Sequence, residues 1–131
     1  MIINRTIGHA LVAVGFIATN SEDGPVLAIL ISKEYDIAVE FLHKILQDLV
    51  RAGVLRSKRG PRGGFSLARP IEEITMLQII EAVDGLLVNH LNIAEHAGNT
   101  PFSLKMEEVC QEATEAVRKI YGNATLDKVL S

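Results

Sequence analysis

One cysteine, no tryptophan, and four Phe and two Tyr as the only aromatics leave this 131-residue chain few ways to hold itself together. A lone thiol, Cys110, forms no internal disulfide, and by itself it supplies neither a four-thiolate zinc site nor an iron-sulfur cluster. The chain therefore reads as an intracellular, cytoplasmic protein. Long apolar runs are also missing. Residues 10–18, the one stretch that can mimic a targeting signal, are far short of the ~20 apolar residues that cross a bilayer, so no membrane partner is expected. With aromatics at 5% but hydrophobic residues at 48%, the core has to be aliphatic, which favours helices.

A different absence is local. Between Leu49 and Ile71 there is no Asp or Glu, while Arg51, Arg56, Lys58, Arg59, Arg62 and Arg69 all fall there. The rest of the chain holds seven cations against all sixteen acids, so a net charge of −3 conceals a strongly segregated distribution. A charge run is ordinarily a solvated face. Nearly half of the cations without a counter-charge, however, build self-repulsion that a soluble domain would dilute, and an anionic partner, phosphate above all, explains it better.

Apolar spacing organises the remainder. Ile3, Ile7, Leu11, Val14 and Ile17 recur at intervals of three and four and predict an amphipathic first helix. The turn-forming residues 20–25 follow, with Pro25 suited to the first turn of a short, unusually apolar helix over 26–34. Residues 35–37 break it before a longer helix over about 38–52. There Leu42, Ile45, Leu46 and Leu49 form one stripe, Glu40, His43, Lys44, Gln47 and Arg51 form the opposite one, and Gly53 marks the stop. Two helices joined by a three-residue break are the layout of a helix-turn-helix. Strands over 54–58 and 65–68 flank a tip, residues 59–64, that carries three glycines and a proline, the mark of a hairpin wing. Gly60 permits close backbone approach to a polyanion, and Arg59 and Arg62 flank the bend. The tip matches neither GxGxxG nor GxxxxGKS, and no helix pattern follows it directly, so it does not read as a nucleotide loop.

Thr75 and Gln78 fit a capping box for a helix whose buried face is Met76, Ile79, Ile80 and Val83 and which ends at Asp84-Gly85. Periodicity is lost over 86–101, which reads as a loop. The last long helix, over 103–121, carries Met106, Val109, Ala113, Ala116, Val117 and Ile120 as a seam suited to a partner helix, that is, to dimerisation; packing onto its own domain is the plainer alternative. Thr125 is expected to cap a final turn carrying Leu126, Val129 and Leu130.

The fold class that follows is mostly α with a small β-wing: a winged helix-turn-helix over 1–85, a loop over 86–102, and a dimerisation helix with a C-terminal turn over 103–131. Residues 53–70, with Glu72-Glu73-Ile74-Thr75 and Glu81-Ala82-Val83-Asp84-Gly85, resemble the Rrf2 family of bacterial transcriptional regulators, the type that includes IscR, NsrR and CymR. The resemblance implies a dimeric winged-helix regulator with one recognition helix per subunit in the major groove and the wing in the minor groove. It places Arg59 at the family's wing arginine. Arg62 stands where small residues are frequent. Arg5 and Thr6 fall where the family's first helix meets phosphates. The recognition helix departs from the iron-sulfur members, with Ala38-Val39-Glu40 for a serine-rich start and His43-Lys44 for glutamate and glutamine. The cysteines that hold the cluster in those members are missing from 86–101, which implies the clusterless branch, no cofactor, and a small molecule, a thiol event or a partner protein as the signal.

The function expected is sequence-specific binding of double-stranded DNA by a homodimer acting as a repressor. Arg5, Glu40, His43, Lys44, Gln47, Arg51, Arg56, Lys58, Arg59, Gly60 and Arg62 form its DNA surface. The alternative is a protein-interaction module that keeps the fold, motivated by the apolar residues 26–31. No nucleophile-base pair or phosphate loop points to an enzyme, and no metal is expected. Cys110 reads as a small buried hydrophobe, and the six-residue spacing of His90 and His96 fits no helix face.

Overall fold

The computed structural model describes residues 3–87 and 93–131. Helix α1 (Arg5–Thr19) starts at Asn4, whose side-chain oxygen accepts the Ile7 N–H at 2.9 Å. Its buried face is Ile7, Ala10, Ala13, Val14 and Ile17. Ile3, expected on that stripe, is exposed because it precedes the cap, and Leu11 is half-buried at the edge of the core. Two alanines at the centre of the stripe let neighbouring helices approach closely, a choice that hydrophobic spacing alone does not distinguish from a leucine stripe.

Helix α2 (Ala28–Tyr35) begins two residues later than its apolar pattern suggests. Val26 is taken out of it by an antiparallel bridge to Phe65, with both N–H···O bonds at 2.8 Å. Asp36 closes α2 in the left-handed region (φ 52°), and the Ser32 hydroxyl donates to the Ile37 carbonyl at 2.5 Å, which fixes the turn into α3 (Val39–Arg51). Leu42, Ile45, Leu46 and Leu49 are buried as their spacing predicts.

Strands β1 (Leu55–Lys58) and β2 (Gly64–Leu67) pair antiparallel, with Leu55 opposite Leu67 and Lys58 opposite Gly64. A 3-10 turn (Ile71–Glu73) leads to α4 (Met76–Asp84), where Thr75 and Gln78 make both bonds of the capping box. Ile79 and Ile80 are buried, and Met76 and Val83 are half-buried. Helix α5 (Ile93–Ala97) lies within the segment expected to be loop. Its first N–H, on Ile93, is held by the Glu107 carboxylate at 2.6 Å, a bond across fourteen residues that no local pattern announces. Helix α6 (Pro101–Gly122) starts two residues early because Thr100 and Ser103 form a second capping box and Pro101 lacks the N–H that its first position leaves unused. Helix α7 (Leu126–Leu130) is docked by the Leu126 N–H on the Ile74 carbonyl at 2.9 Å. Leu126 enters the core, whereas Val129 and Leu130 stay exposed. Thr125 stands at the N-cap, but its side chain makes no cap bond.

One core therefore joins α1, α3, α4, the foot of the hairpin and α7. It holds α3 and the wing side by side. Arg118 of α6 ties this body to the start of the next segment: its guanidinium donates to Glu81 at 2.5 Å and to the Leu87 carbonyl at 2.9 Å, while the Leu87 N–H donates to Glu81 at 2.7 Å. Among the described residues no helix is long and apolar enough to cross a membrane.

Candidate nucleic-acid interface

The outer face of α3 is set by what its inner face buries. With Leu42, Ile45, Leu46 and Leu49 inward, Glu40, His43, Lys44 and Gln47 are all exposed. Arg51 shares that side, but its guanidinium is paired with Asp48, so it is not a free cation. His43 is not wholly free either. Its ring lies 6.4 Å from that of Phe65, joining the helix to the wing strand.

The hairpin sorts the remaining cations. Arg69 is used by the fold: it donates to the carbonyls of Gly53 (3.2 Å) and Glu73 (3.3 Å) and to the Gln78 side chain (3.1 Å). Arg56, Lys58, Arg59 and Arg62 are exposed, and none has a carboxylate partner among the described residues. Folding brings Asp23 to the depression that Lys58 and Arg62 line, without forming an ion pair. The acid-free segment thus becomes four open cations and two, Arg51 and Arg69, bonded to groups of the chain itself.

Two glycines make the wing possible. A side-chain carbon on Gly63 would lie 2.3 Å from the Lys58 carbonyl oxygen. At Gly64 (φ +142°) it would lie 2.6 Å from the Val26 carbonyl oxygen, against the backbone that bridges to Phe65. Both positions meet backbone, which cannot swing aside. Gly64→Ala is expected to cost about 3 kcal/mol, read from urea unfolding, because left-handed strain and overpacking add; a cost under about 0.5 kcal/mol would show that the bridge is dispensable.

Helix and hairpin face one another across a groove of about 460 Å³. Val39, His43 and Gln47 form one side, and Lys58, Arg59 and Gly60 the other. Glu40 and Lys44 continue the α3 face beside it. Arg62 belongs to the neighbouring depression, and Arg5 is exposed at the first position of α1. Leu27 and Ile29, at the start of α2, also line the groove and were not among the expected site residues. Their signal was present as the apolar run over 26–31, of which folding buries Val26, Ala28 and Ile31 while leaving Leu27, Ile29 and Leu30 in solvent.

On α6 the expected seam is uncovered. Val109 is 65% and Ile120 67% exposed, Met106, Ala113 and Ala116 are exposed, and Val117 is half-buried. A shallow apolar depression of about 430 Å³ opens along it between Ile93, Met106, Val109 and Cys110. Cys110 is half-buried there. His90 lies outside the described residues.

A family model described as Rrf2, iron-dependent transcriptional regulator, matches residues 3–131. A protein of Aquifex aeolicus described as an HTH-type transcriptional regulator is 42% identical over 81 residues, 62% of this chain and 56% of its own length. The HTH-type transcriptional regulator IscR of Cereibacter sphaeroides is 40% identical over 78 residues, 58% of this chain and 50% of its own. The chain thus spans about half the length of the curated relatives it matches. Among solved structures, CymR, the global cysteine regulator of B. subtilis, superposes with a TM-score of 0.84 at 21% identity, covering 99% of this chain and 96% of that one. IscR of T. potens superposes at 0.76 with 21% identity, covering 99% and 86%. At that identity the two structures establish the winged-helix fold alone.

Proposed function

The chain belongs to the Rrf2 family of transcriptional regulators, and from that membership we propose that it binds double-stranded operator DNA as a homodimer and represses by occupying its site. The observation that carries the reading is the shared groove. The exposed His43 and Gln47 on α3 stand across it from Lys58 and Arg59, cations with no carboxylate partner among the described residues. In this reading α3 enters the major groove, where Lys44 donates to guanine and Glu40 accepts from cytosine, with His43 and Gln47 beside them. Arg59 and Arg62 take phosphates or a narrow minor groove, Gly60 lets the tip approach, and Arg56, Lys58 and Arg5 add phosphate contacts. Arg51 contributes least, since contact with DNA competes with Asp48.

Residues 1–85 are then the DNA-binding part and 103–131 the dimerisation part, with 86–102 receiving a small-molecule or protein signal. The Met106, Val109, Ala113, Ala116, Val117 and Ile120 seam is proposed to pair with its copy. Iron appears in the family description, but the donors here do not fit an iron-sulfur cluster. Cys110 is the one thiol in the sequence, and among the described residues no three His, Cys, Asp or Glu side chains gather. We therefore propose regulation without a cluster held by this chain.

The test is selection of fragments from the source genome by the purified full chain. A two-fold-symmetric motif with half-sites one helical turn apart, or a multiple of it, is expected. Recovery of random fragments, together with a tight protein partner captured by the same preparation, would favour the interaction-module reading that the apolar start of α2 motivates.

A further inference from the structure

Helices α1, α4 and α6 are capped by polar side chains, those of Asn4, Thr75 and Thr100. The two helices that border the groove are not: α2 has Leu27 and α3 has Ala38 at the N-cap, and neither makes a side-chain cap bond. A Ser, Thr, Asp or Asn at either position would satisfy an otherwise free backbone N–H. The apolar choice is moreover not made for burial. Leu27 is 49% and Ile29 43% exposed, Ala38 is exposed and Val39 half-buried.

Leu27, Ile29 and Val39 border a groove whose opposite side, with Lys58 and Arg59, is cationic, and Ala38 stands exposed next to Val39 at the start of α3. Its occupant must therefore offer apolar groups at the helix ends and anionic groups at the hairpin. Duplex DNA offers both, because the C5-methyl of thymine is the apolar group that base edges present in the major groove, among phosphates. Alanine and similar small apolar groups are the side chains suited to that methyl, and the first turn of a recognition helix is where base edges are met.

We propose that Ala38 and Val39, with Leu27 extending the apolar surface, read thymine methyls, so that each half-site carries thymine where the first turn of α3 meets the base pairs. The inference rests on the DNA-binding reading above and names a specificity determinant within it. Polar neighbours on α3 choose among hydrogen-bonding edges; the apolar helix ends choose thymine over cytosine by its methyl.

The experiment replaces each thymine of the selected operator, one at a time, by deoxyuridine, which removes the methyl and nothing else, and titrates the purified 131-residue chain. At one or two positions per half-site the wild-type affinity is expected to fall about fourfold, the worth of one buried methyl. Ala38→Ser and Val39→Ser should bind thymine and deoxyuridine operators equally at those positions while keeping the wild-type salt dependence. Ala38→Ser adds a capping hydroxyl, so its thermal midpoint should hold or rise, which separates lost discrimination from lost folding. Wild-type protein that binds its operator tightly yet ignores every deoxyuridine, or an Ala38→Ser variant that still discriminates, overturns the proposal and leaves the DNA-binding reading standing. Failure to bind any operator overturns both.

Discussion

Replacing Arg59 and Arg62 together by alanine is expected to weaken operator binding about a hundredfold and to make the slope of log K against log salt shallower by about two. Each arginine is exposed and without a carboxylate partner among the described residues, so neither substitution leaves a buried charge behind. A hydrogen bond to a charged group is worth about 1.5–3 kcal/mol, and two lost at the lower end give about 3 kcal/mol, or a factor of ~100. The salt term is independent of that estimate, since each neutralised phosphate contributes about 0.9 to the slope. The melting temperature should move little, as surface changes away from caps and cores lie within about 0.5 kcal/mol. Arg51→Ala is the informative contrast. Arg51 is already paired with Asp48, so its loss should cost only a few-fold. Titrations at several salt concentrations decide the matter: an unchanged slope for the double variant would remove the hairpin from the interface.

If α6 carries the proposed dimer seam, Val109→Glu with Ile120→Glu is expected to leave the protein monomeric in sedimentation at micromolar concentration, where the wild type sediments as a dimer, and to weaken binding to the full operator by a hundredfold or more. Both side chains are largely in solvent in the single chain, at 65% and 67% exposed, so the substitutions remove little internal packing and the circular dichroism should be unchanged. Across a two-fold seam they would instead bring carboxylates into an apolar contact, where a charge without a partner is strongly disfavoured. The effect on DNA follows from linkage. Two half-sites held on one dimer gain about 10²–10⁴ in avidity over separate binding, and the monomer forfeits it. Binding to an isolated half-site should change little. A double variant that stays dimeric would move the interface away from this face of α6.

The parts of this molecule that were legible beforehand depend on neighbours three or four residues apart. The 42/45/46/49 stripe, the Thr75/Gln78 box and the glycine-rich hairpin are local devices, and each is present in the fold. What was not legible involves partners far along the chain. Val26 leaves α2 because Phe65 bonds its backbone, and α5 forms where Glu107 meets the N–H of Ile93. For that reason the helix expected over 26–34 starts two residues later, and the loop expected over 86–101 contains the short helix α5. Ile3, which spacing puts on the α1 stripe, is exposed because it lies outside the Asn4 cap.

The candidate site divides along the same line. Segregated charge, the two-helix layout and the wing motif are properties of order along the chain, so the sequence alone determined that a cationic hairpin follows an amphipathic helix. Which cations of the hairpin stay open was decided only in three dimensions, because a guanidinium is spent or free according to the groups that folding places beside it: Arg69 meets two carbonyls and Gln78, whereas Arg59 and Arg62 have no carboxylate partner among the described residues. Arg51 differs, since its partner Asp48 is three residues back on the same helix. The same holds for the apolar rim. Composition announced a hydrophobic run at 26–31, but burial is a matter of which face the core covers, and only tertiary packing left Leu27 and Ile29 on the groove.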